Sequence, residues 1–178
     1  MKLIILSDLL GHRNSNWVNT YTDLLRHKFQ IQFYDCCELA QIDTQLIDKE
    51  NIHQQFVTGG IEKAVEQLLH NEKNEITCII GFSIGGLIAW KAALAGLKTS
   101  FICAISSTRL RCEIQKPNVF IHLFYGENDP YKPDEKWFEL MQLDTVIFNN
   151  ENHEFYMKQE FANKISLNIM EKMKSDFL

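Results

Sequence analysis

The stretch that decides the fold of this 178-residue chain is Thr77-Cys78-Ile79-Ile80-Gly81-Phe82-Ser83-Ile84-Gly85-Gly86-Leu87-Ile88-Ala89-Trp90. An isoleucine-rich run ends at a glycine-containing turn, and a helical pattern of small and apolar residues follows at once. This order predicts a buried strand, a sharp turn with Ser83 at its apex, and then a helix. Strand and helix nearly touch at such a turn, so only small residues fit at Gly81 and Gly85. The serine hydroxyl then projects outward, beside the free amides of the helix start.

Gly-x-Ser-x-Gly is by itself a weak motif, because a glycine-rich turn can carry a serine that has no role. The rest of the chain supplies the context. Apolar runs predict strands at 2–6, 31–34, 76–80, 101–105, 119–125 and 145–148. Helical patterns lie at 17–29, 52–70, 83–95, 133–141 and near the C-terminus. This alternation predicts an α/β protein in which helices cover both faces of a mostly parallel sheet.

Several local features refine these elements. Asn14 or Ser15 is expected to cap the first helix, Gly59-Gly60 to weaken or kink the second, and Pro133 to lie in the first turn of the fourth. Residues 36–50 are expected to form a surface loop. The length suits one domain spanning residues 1–178.

Composition excludes several functional classes. The net charge is −5 with both signs mixed along the chain, which argues against nucleic-acid binding. No apolar run has the length of a membrane span, and the start of the chain does not resemble a signal peptide. The five cysteines show no metal-ligand spacing, and an odd number favours reduced thiols in the cytoplasm. No metal or organic cofactor is expected.

Three polar residues follow three predicted strands: Ser83 the third, Asp129 the fifth and His153 the sixth. Active sites of parallel sheets lie beyond the carboxyl ends of the strands, so these side chains are expected to converge there. A serine hydroxyl needs an imidazole to accept its proton, and the imidazole needs a carboxylate to orient it.

On these residues the chain resembles the α/β-hydrolase superfamily over nearly its whole length. Gly81 to Gly85 matches the nucleophile elbow, Gly126-Glu127-Asn128-Asp129-Pro130 matches the acid loop, and His153 stands where the family has its histidine. The resemblance implies a three-layer fold with a six-stranded sheet. It also implies that Ser83 is the nucleophile, that His153 is the general base and acid, and that Asp129 orients the histidine.

The resemblance further implies an oxyanion hole made by the backbone amides of Ile84 and Leu9. The loop before Leu9 departs from the family pattern, since Ser7-Asp8 replaces the usual His-Gly pair, and Asp8 is expected to brace that loop. Leu10 and His12 are candidate substrate contacts, although His12 is also compatible with a solvated loop residue. His53 is expected on a helix surface.

Only residues 106–118 separate two strands between which many relatives insert a cap. We therefore expect no cap domain and an open site, shaped by loops 8–16, 36–50 and 127–137.

The leading hypothesis is a serine hydrolase that cleaves a carboxylic ester or thioester of a small acyl substrate. The alternatives are a non-catalytic ligand-binding or interaction protein on the same scaffold, and an acyltransferase or carbon–carbon bond hydrolase that uses the same triad. The sequence leaves these alternatives and the oligomeric state open.

Overall fold

The computed structural model describes residues 1–11, 16–45, 48–73 and 75–176. Six strands form its sheet: β1 (Lys2–Leu6), β2 (Gln30–Tyr34), β3 (Thr77–Phe82), β4 (Thr99–Ile105), β5 (Phe120–Gly126) and β6 (Asp144–Phe148). Their spatial order is β2-β1-β3-β4-β5-β6, and each neighbouring pair is parallel. The predicted six-stranded sheet is therefore confirmed, with parallel pairing throughout the described strands.

Helices connect the strands. They are α1 (Val18–Leu25), α2 (Cys36–Ala40), α3 (Lys49–Gln55), α4 (Ile61–Asn71), α5 (Ile84–Leu94), α6 (Glu135–Met141) and α7 (Gln159–Asp176). Two 3₁₀ turns, Thr108–Cys112 and His153–Met157, follow β4 and β6. Residues 106–119 contain no helix beyond the first of these turns, so the fold has no cap domain, as predicted.

The helices cover both faces of the sheet. Alternate strand residues point to opposite faces, so Leu3 and Ile5 belong to one core cluster and Ile4 and Leu6 to the other. The first cluster is completed by α1 and α7, and the second by α2, α4, α5 and α6. This arrangement gives three layers, and it explains why the central strands are continuous apolar runs.

The predicted surface loop at 36–50 is confirmed only in part: residues 41–45 and 48 lie outside helices and strands, but both ends of the range are helical. Cys36–Ala40 is a helix whose apolar side chains are buried in the core. The Asp35 carboxylate caps it by accepting hydrogen bonds from the amides of Cys37 (2.7 Å) and Glu38 (3.3 Å). A five-residue helix is too short to show a helical repeat in sequence, which is why the pattern missed it. Lys49 and Glu50 begin α3.

Three further expectations concern helix ends. The kink at Gly59-Gly60 is confirmed, because Thr58 and Gly59 leave helical geometry between α3 and α4. Pro133 was wrongly placed, since α6 begins at Glu135 and the Asp134 side chain caps it through the amide of Trp137 (2.9 Å). Asn14 and Ser15, the expected caps of α1, lie outside the described residues.

Candidate active site

Ser83 lies at the sharp turn between β3 and α5. Its backbone has φ 49° and ψ −112°, a conformation that costs free energy for a residue with a side chain. The turn is tight enough that a Cβ on Gly81 would lie 2.5 Å from the backbone of Gly86, and a Cβ on Gly85 would lie 2.5 Å from the carbonyl oxygen of Ser7. Glycine is therefore required at both flanking positions, and the strain aims the serine side chain away from the helix axis.

Asp129 and His153 reach Ser83 from the ends of β5 and β6. His153 Nδ1 lies 2.6 Å from Asp129 Oδ2, and His153 Nε2 lies 3.0 Å from Ser83 Oγ. With its proton on Nδ1, the imidazole donates to the carboxylate and accepts from the serine hydroxyl. The structure thus brings the three predicted residues into one hydrogen-bonded chain, the arrangement that lets a serine lose its proton as it attacks a carbonyl.

A hydrogen bond from the end of β4 fixes the backbone of His153. Ser106, directly after that strand, donates its hydroxyl to the carbonyl oxygen of His153 at 2.6 Å. Ser106 is buried and has a positive φ of 50°, so the strand end turns to reach the histidine loop. The sequence reasoning missed this support, because a serine after a strand gives no sign of its distant partner.

Leu9 and Ile84, the expected oxyanion donors, lie beside Ser83. All three residues border a small cavity of about 60 Å³. In the described part of the chain neither amide has a hydrogen-bond acceptor. Two free amides beside a serine are the donors that an oxyanion would need.

Asp8 braces the loop that carries Leu9, as expected. Its Oδ1 accepts the amide of Leu10 (3.0 Å) and its Oδ2 accepts the hydroxyl of Tyr156 (3.1 Å). Burial raises the pKa of the Asp8 carboxyl, although these hydrogen bonds oppose the shift.

Two further cavities surround the serine. The larger, of about 630 Å³, has Ser83, His153, Asp129 and Leu9 on its wall. A smaller one, of about 160 Å³, places Leu10 beside Ser83 and His153. His12 lies outside the described residues.

Four further residues of the larger cavity, Lys49, Glu50, Pro130 and Tyr131, belong to the segments 36–50 and 127–137 that were expected to shape the site. The sequence did not indicate the others as site residues: His53, Thr108, Arg109, Arg111 and Asn152. His53 lies on a helix and is partly exposed, as expected, but its place on the cavity wall was not foreseen. Arg109 could have been noticed, since it follows the end of a strand at the edge where Ser83 also lies.

The described residues also bear on metal binding and on membrane insertion. Among the residues that the structure describes, no group of three or more histidine, cysteine, aspartate and glutamate side chains is placed to hold a metal ion. No described helix has the length and apolar character to cross a bilayer.

Comparison with solved structures identifies the fold. A proposed hydrolase of the α/β superfamily from Xanthomonas campestris pv. campestris superposes with a TM-score of 0.71 at 14% identity, covering 96% of this chain and 98% of that one. Mouse alpha/beta hydrolase domain-containing protein 10 gives a TM-score of 0.69 at 11% identity, over 98% and 90% of the two chains. A Xanthomonas campestris α/β serine hydrolase without a lid gives 0.58 at 15% identity, over 95% and 81%.

These likenesses are in structure alone. No protein-family model matches the sequence, and no curated protein sequence matches it. The chain has the α/β-hydrolase fold in a lidless form, as the strand order and the short β4–β5 connection show independently.

Proposed function

We propose that this protein is a serine hydrolase that cleaves a carboxylic ester or thioester of a small acyl substrate. One observation carries the proposal: Ser83, strained at the β3–α5 turn and open to a cavity, is linked through His153 to the buried carboxylate of Asp129 by contacts of 3.0 and 2.6 Å. A serine without a catalytic role has no reason to adopt a strained backbone or to align with a histidine and an aspartate. The hydrolase fold of the structural neighbours supports the same chemistry by analogy.

In this mechanism Ser83 Oγ attacks the carbonyl carbon while His153 Nε2 takes its proton. The amides of Ile84 and Leu9 stabilise the negative oxygen that forms. His153 then protonates the leaving alcohol or thiol, and an acyl-enzyme remains on Ser83. Water, activated by His153, releases the acid, and Asp129 holds the imidazole in the required tautomer throughout. These steps use only side chains, backbone amides and water.

The size and setting of the site support a small substrate. A cavity of about 630 Å³ lies within the range typical of small-molecule sites. Leu10, beside Ser83 in the adjoining cavity, is proposed to contact the acyl group.

We also propose a cytoplasmic location, because Cys36, Cys78 and Cys103 are buried thiols whose pKa burial raises, and such residues suit a reducing compartment.

A fluorophosphonate probe tests the proposal directly. The wild-type protein should be labelled at Ser83, and Ser83→Ala should not be labelled at all. His153→Gln should lower the labelling rate by about 10³-fold or more, because the serine loses its base. The control is Ser100→Ala, which removes a serine on β4 that does not border these cavities.

Hydrolysis of p-nitrophenyl esters of several chain lengths should follow the same order of variants. Labelling that persists in Ser83→Ala would contradict the proposal. A wild-type protein that resists the probe yet holds a ligand tightly would instead indicate the binding-protein alternative.

A further inference from the structure

Arg109 is an unpaired cation on the wall of the proposed active site. It lies in the 3₁₀ turn after β4 and borders both the 630 Å³ cavity and the 60 Å³ cavity that holds Ser83, Leu9 and Ile84. Its Nε atom is buried and has no hydrogen-bond partner among the described residues, while the side chain as a whole is partly exposed. Within the described part of the chain, no carboxylate lies within ion-pair distance of its guanidinium.

This lack of a partner distinguishes Arg109 from the other cations of the cavity. Lys49 pairs with Glu154 at 3.2 Å. Arg111 donates to the carbonyl oxygens of Thr108 (2.9 Å) and Tyr131 (3.4 Å) and lies over the Tyr131 ring. Both therefore have partners within the protein, whereas Arg109 has none among the residues described.

The guanidinium has no counter-charge among the described residues, and arginine stays charged at all physiological pH values. The Arg109 side chain is partly exposed, and of its nitrogens only Nε is buried without a partner. Its terminal N–H groups therefore remain available to a ligand in the cavity, and a planar guanidinium suits a carboxylate or a phosphate. The chain as a whole carries a net charge of −5, whereas the cavity wall has three cations, Lys49, Arg109 and Arg111, against the carboxylates of Glu50 and Asp129.

We propose that Arg109 binds an anionic group of the substrate, so that the preferred ester or thioester carries a carboxylate or a phosphate on its acyl or leaving part. This inference rests on the proposed hydrolase function, since it assigns the substrate class of the same site. Arg109 is then a specificity-determining residue. The carbonyl lies at Ser83, and the anion lies on the wall formed by the 3₁₀ turn.

Binding to Ser83→Ala tests the inference without requiring turnover. Four ligands are titrated by calorimetry or NMR: monomethyl adipate and 2-acetoxyethyl phosphate as anionic esters, and dimethyl adipate and 2-hydroxyethyl acetate as their neutral counterparts. At least one anionic ester should bind about tenfold to hundredfold more tightly than its neutral counterpart, as expected for a charge-assisted pair. The tighter of the two anionic esters identifies the oxyanion.

The Ser83→Ala/Arg109→Met variant should lose this preference, and Ser83→Ala/Arg109→Lys should keep part of it. Arg26→Gln on the Ser83→Ala background is the control, because it removes an exposed arginine at the end of α1 that does not line the cavity. In the active protein, Arg109→Met should raise KM for the anionic ester at least about tenfold more than it raises KM for the neutral ester.

Two results would overturn the inference. One is equal binding of anionic and neutral esters by Ser83→Ala, which needs no variant at Arg109. The other is an equal loss of hydrolysis of both esters in Arg109→Met, which would mean that the guanidinium acts on the carbonyl common to all esters. If the fluorophosphonate fails to label Ser83 but Arg109-dependent anion binding is found, the hydrolase proposal fails and the anion site stands.

Discussion

Asp129 and His153 form a hydrogen bond whose two ends have different environments. The Asp129 side chain is fully buried, while the His153 side chain is 32% exposed. Asp129 Oδ1 also accepts the amide of Tyr131 at 3.0 Å, so the carboxylate is fixed before the histidine contacts it. A fixed, buried acceptor on one ring nitrogen leaves the other nitrogen aimed at Ser83 and at the cavity, which is the orientation that general base catalysis needs.

Asp8 has a less favourable environment than Asp129. Burial is the largest cause of its raised pKa, and the nearby carboxylate of Glu154 adds to the shift. The folded state therefore holds the proton more tightly than the unfolded chain does. Its contribution to stability is complete below the unfolded pKa near 3.8 and is lost as the pH rises through the folded pKa.

Asp8→Asn should make this loss measurable. The amide does not titrate, and it can accept from Leu10 as the carboxylate does. Relative to Asp8→Asn, the wild-type protein should therefore lose stability as the pH rises from the unfolded pKa near 3.8 through the raised folded pKa, by about 1.4 kcal/mol for each unit of pKa shift. Urea unfolding of both proteins at several pH values gives the difference. A difference that stays constant over this range would show that burial of Asp8 has no net effect on its protonation.

At the scale of elements, the two capping aspartates explain where sequence patterns failed. Both α2 and α6 are short helices, and each is preceded by an aspartate with an extended backbone that serves as its N-cap, Asp35 and Asp134 respectively. Because a short helix gains little from propagation, satisfying its first amides matters more than its hydrophobic repeat. At the start of α6, Asp134 carries a negative charge that the helix dipole favours and also accepts a direct hydrogen bond from the amide of Trp137.

Replacing the cap of α6 should destabilise the protein measurably. Asp134→Ala is expected to lower the free energy of unfolding by about 1 kcal/mol, while Asp134→Ser should retain most of it. The control is Lys136→Ala, an exposed position in the first turn of the same helix, which should change stability by less than about 0.5 kcal/mol. Urea denaturation compares the three variants, and equal losses in Asp134→Ala and Lys136→Ala would argue against a capping role.

At the scale of the whole molecule, an aromatic cluster connects the outer helix layer to the site. Trp17, Tyr21, Phe82 and Tyr156 pack with ring centroids 4.6 to 6.1 Å apart. The Tyr21 hydroxyl donates to the carbonyl oxygen of Tyr156 at 2.9 Å. The start of α1, the end of β3 and the turn that follows His153 are therefore held together in one buried unit, directly beneath Ser83 and His153.

A second long-range contact joins β1, β2 and the end of α4. Glu72, only 2% exposed, accepts from Lys2 Nζ and from the Tyr34 hydroxyl, each at 2.6 Å. Lys2→Met would leave a buried carboxylate with one partner, and the loss should be about 2–3 kcal/mol because Lys2 itself is partly exposed. The ion pair between Lys158 and Glu151 serves as the comparison, because it has the same length of 2.6 Å but 55% of the lysine side chain is exposed. Lys158→Met should therefore lower the free energy of unfolding by under about 1 kcal/mol.

A double-mutant cycle measures this interaction. Lys2→Met/Glu72→Gln should recover part of the stability that Lys2→Met loses, because the uncompensated charge is gone. Urea unfolding of all four proteins supplies the coupling energy. Additive losses would show that Lys2 and Glu72 act independently.

The layers, the six strands and the places of Ser83, Asp129 and His153 after their strands could be predicted, because each depends on a local pattern. Continuous apolar runs form buried strands, and a turn flanked by Gly81 and Gly85 can place a serine at its apex. The short helix α2 and the start of α6 could not be predicted, because their signals were single capping residues and not repeats.

By itself, then, the sequence determined the order of elements and the strand ends at which the polar residues stand. Only the tertiary structure decided how those residues meet, with His153 3.0 Å from Ser83 Oγ and 2.6 Å from Asp129, and which side chains surround them. His53 and Lys49 come from α3 and Arg109 comes from the turn after β4, and all three line one cavity. Such a wall joins segments that are distant along the chain, so its composition depends on packing geometry, which no local pattern encodes.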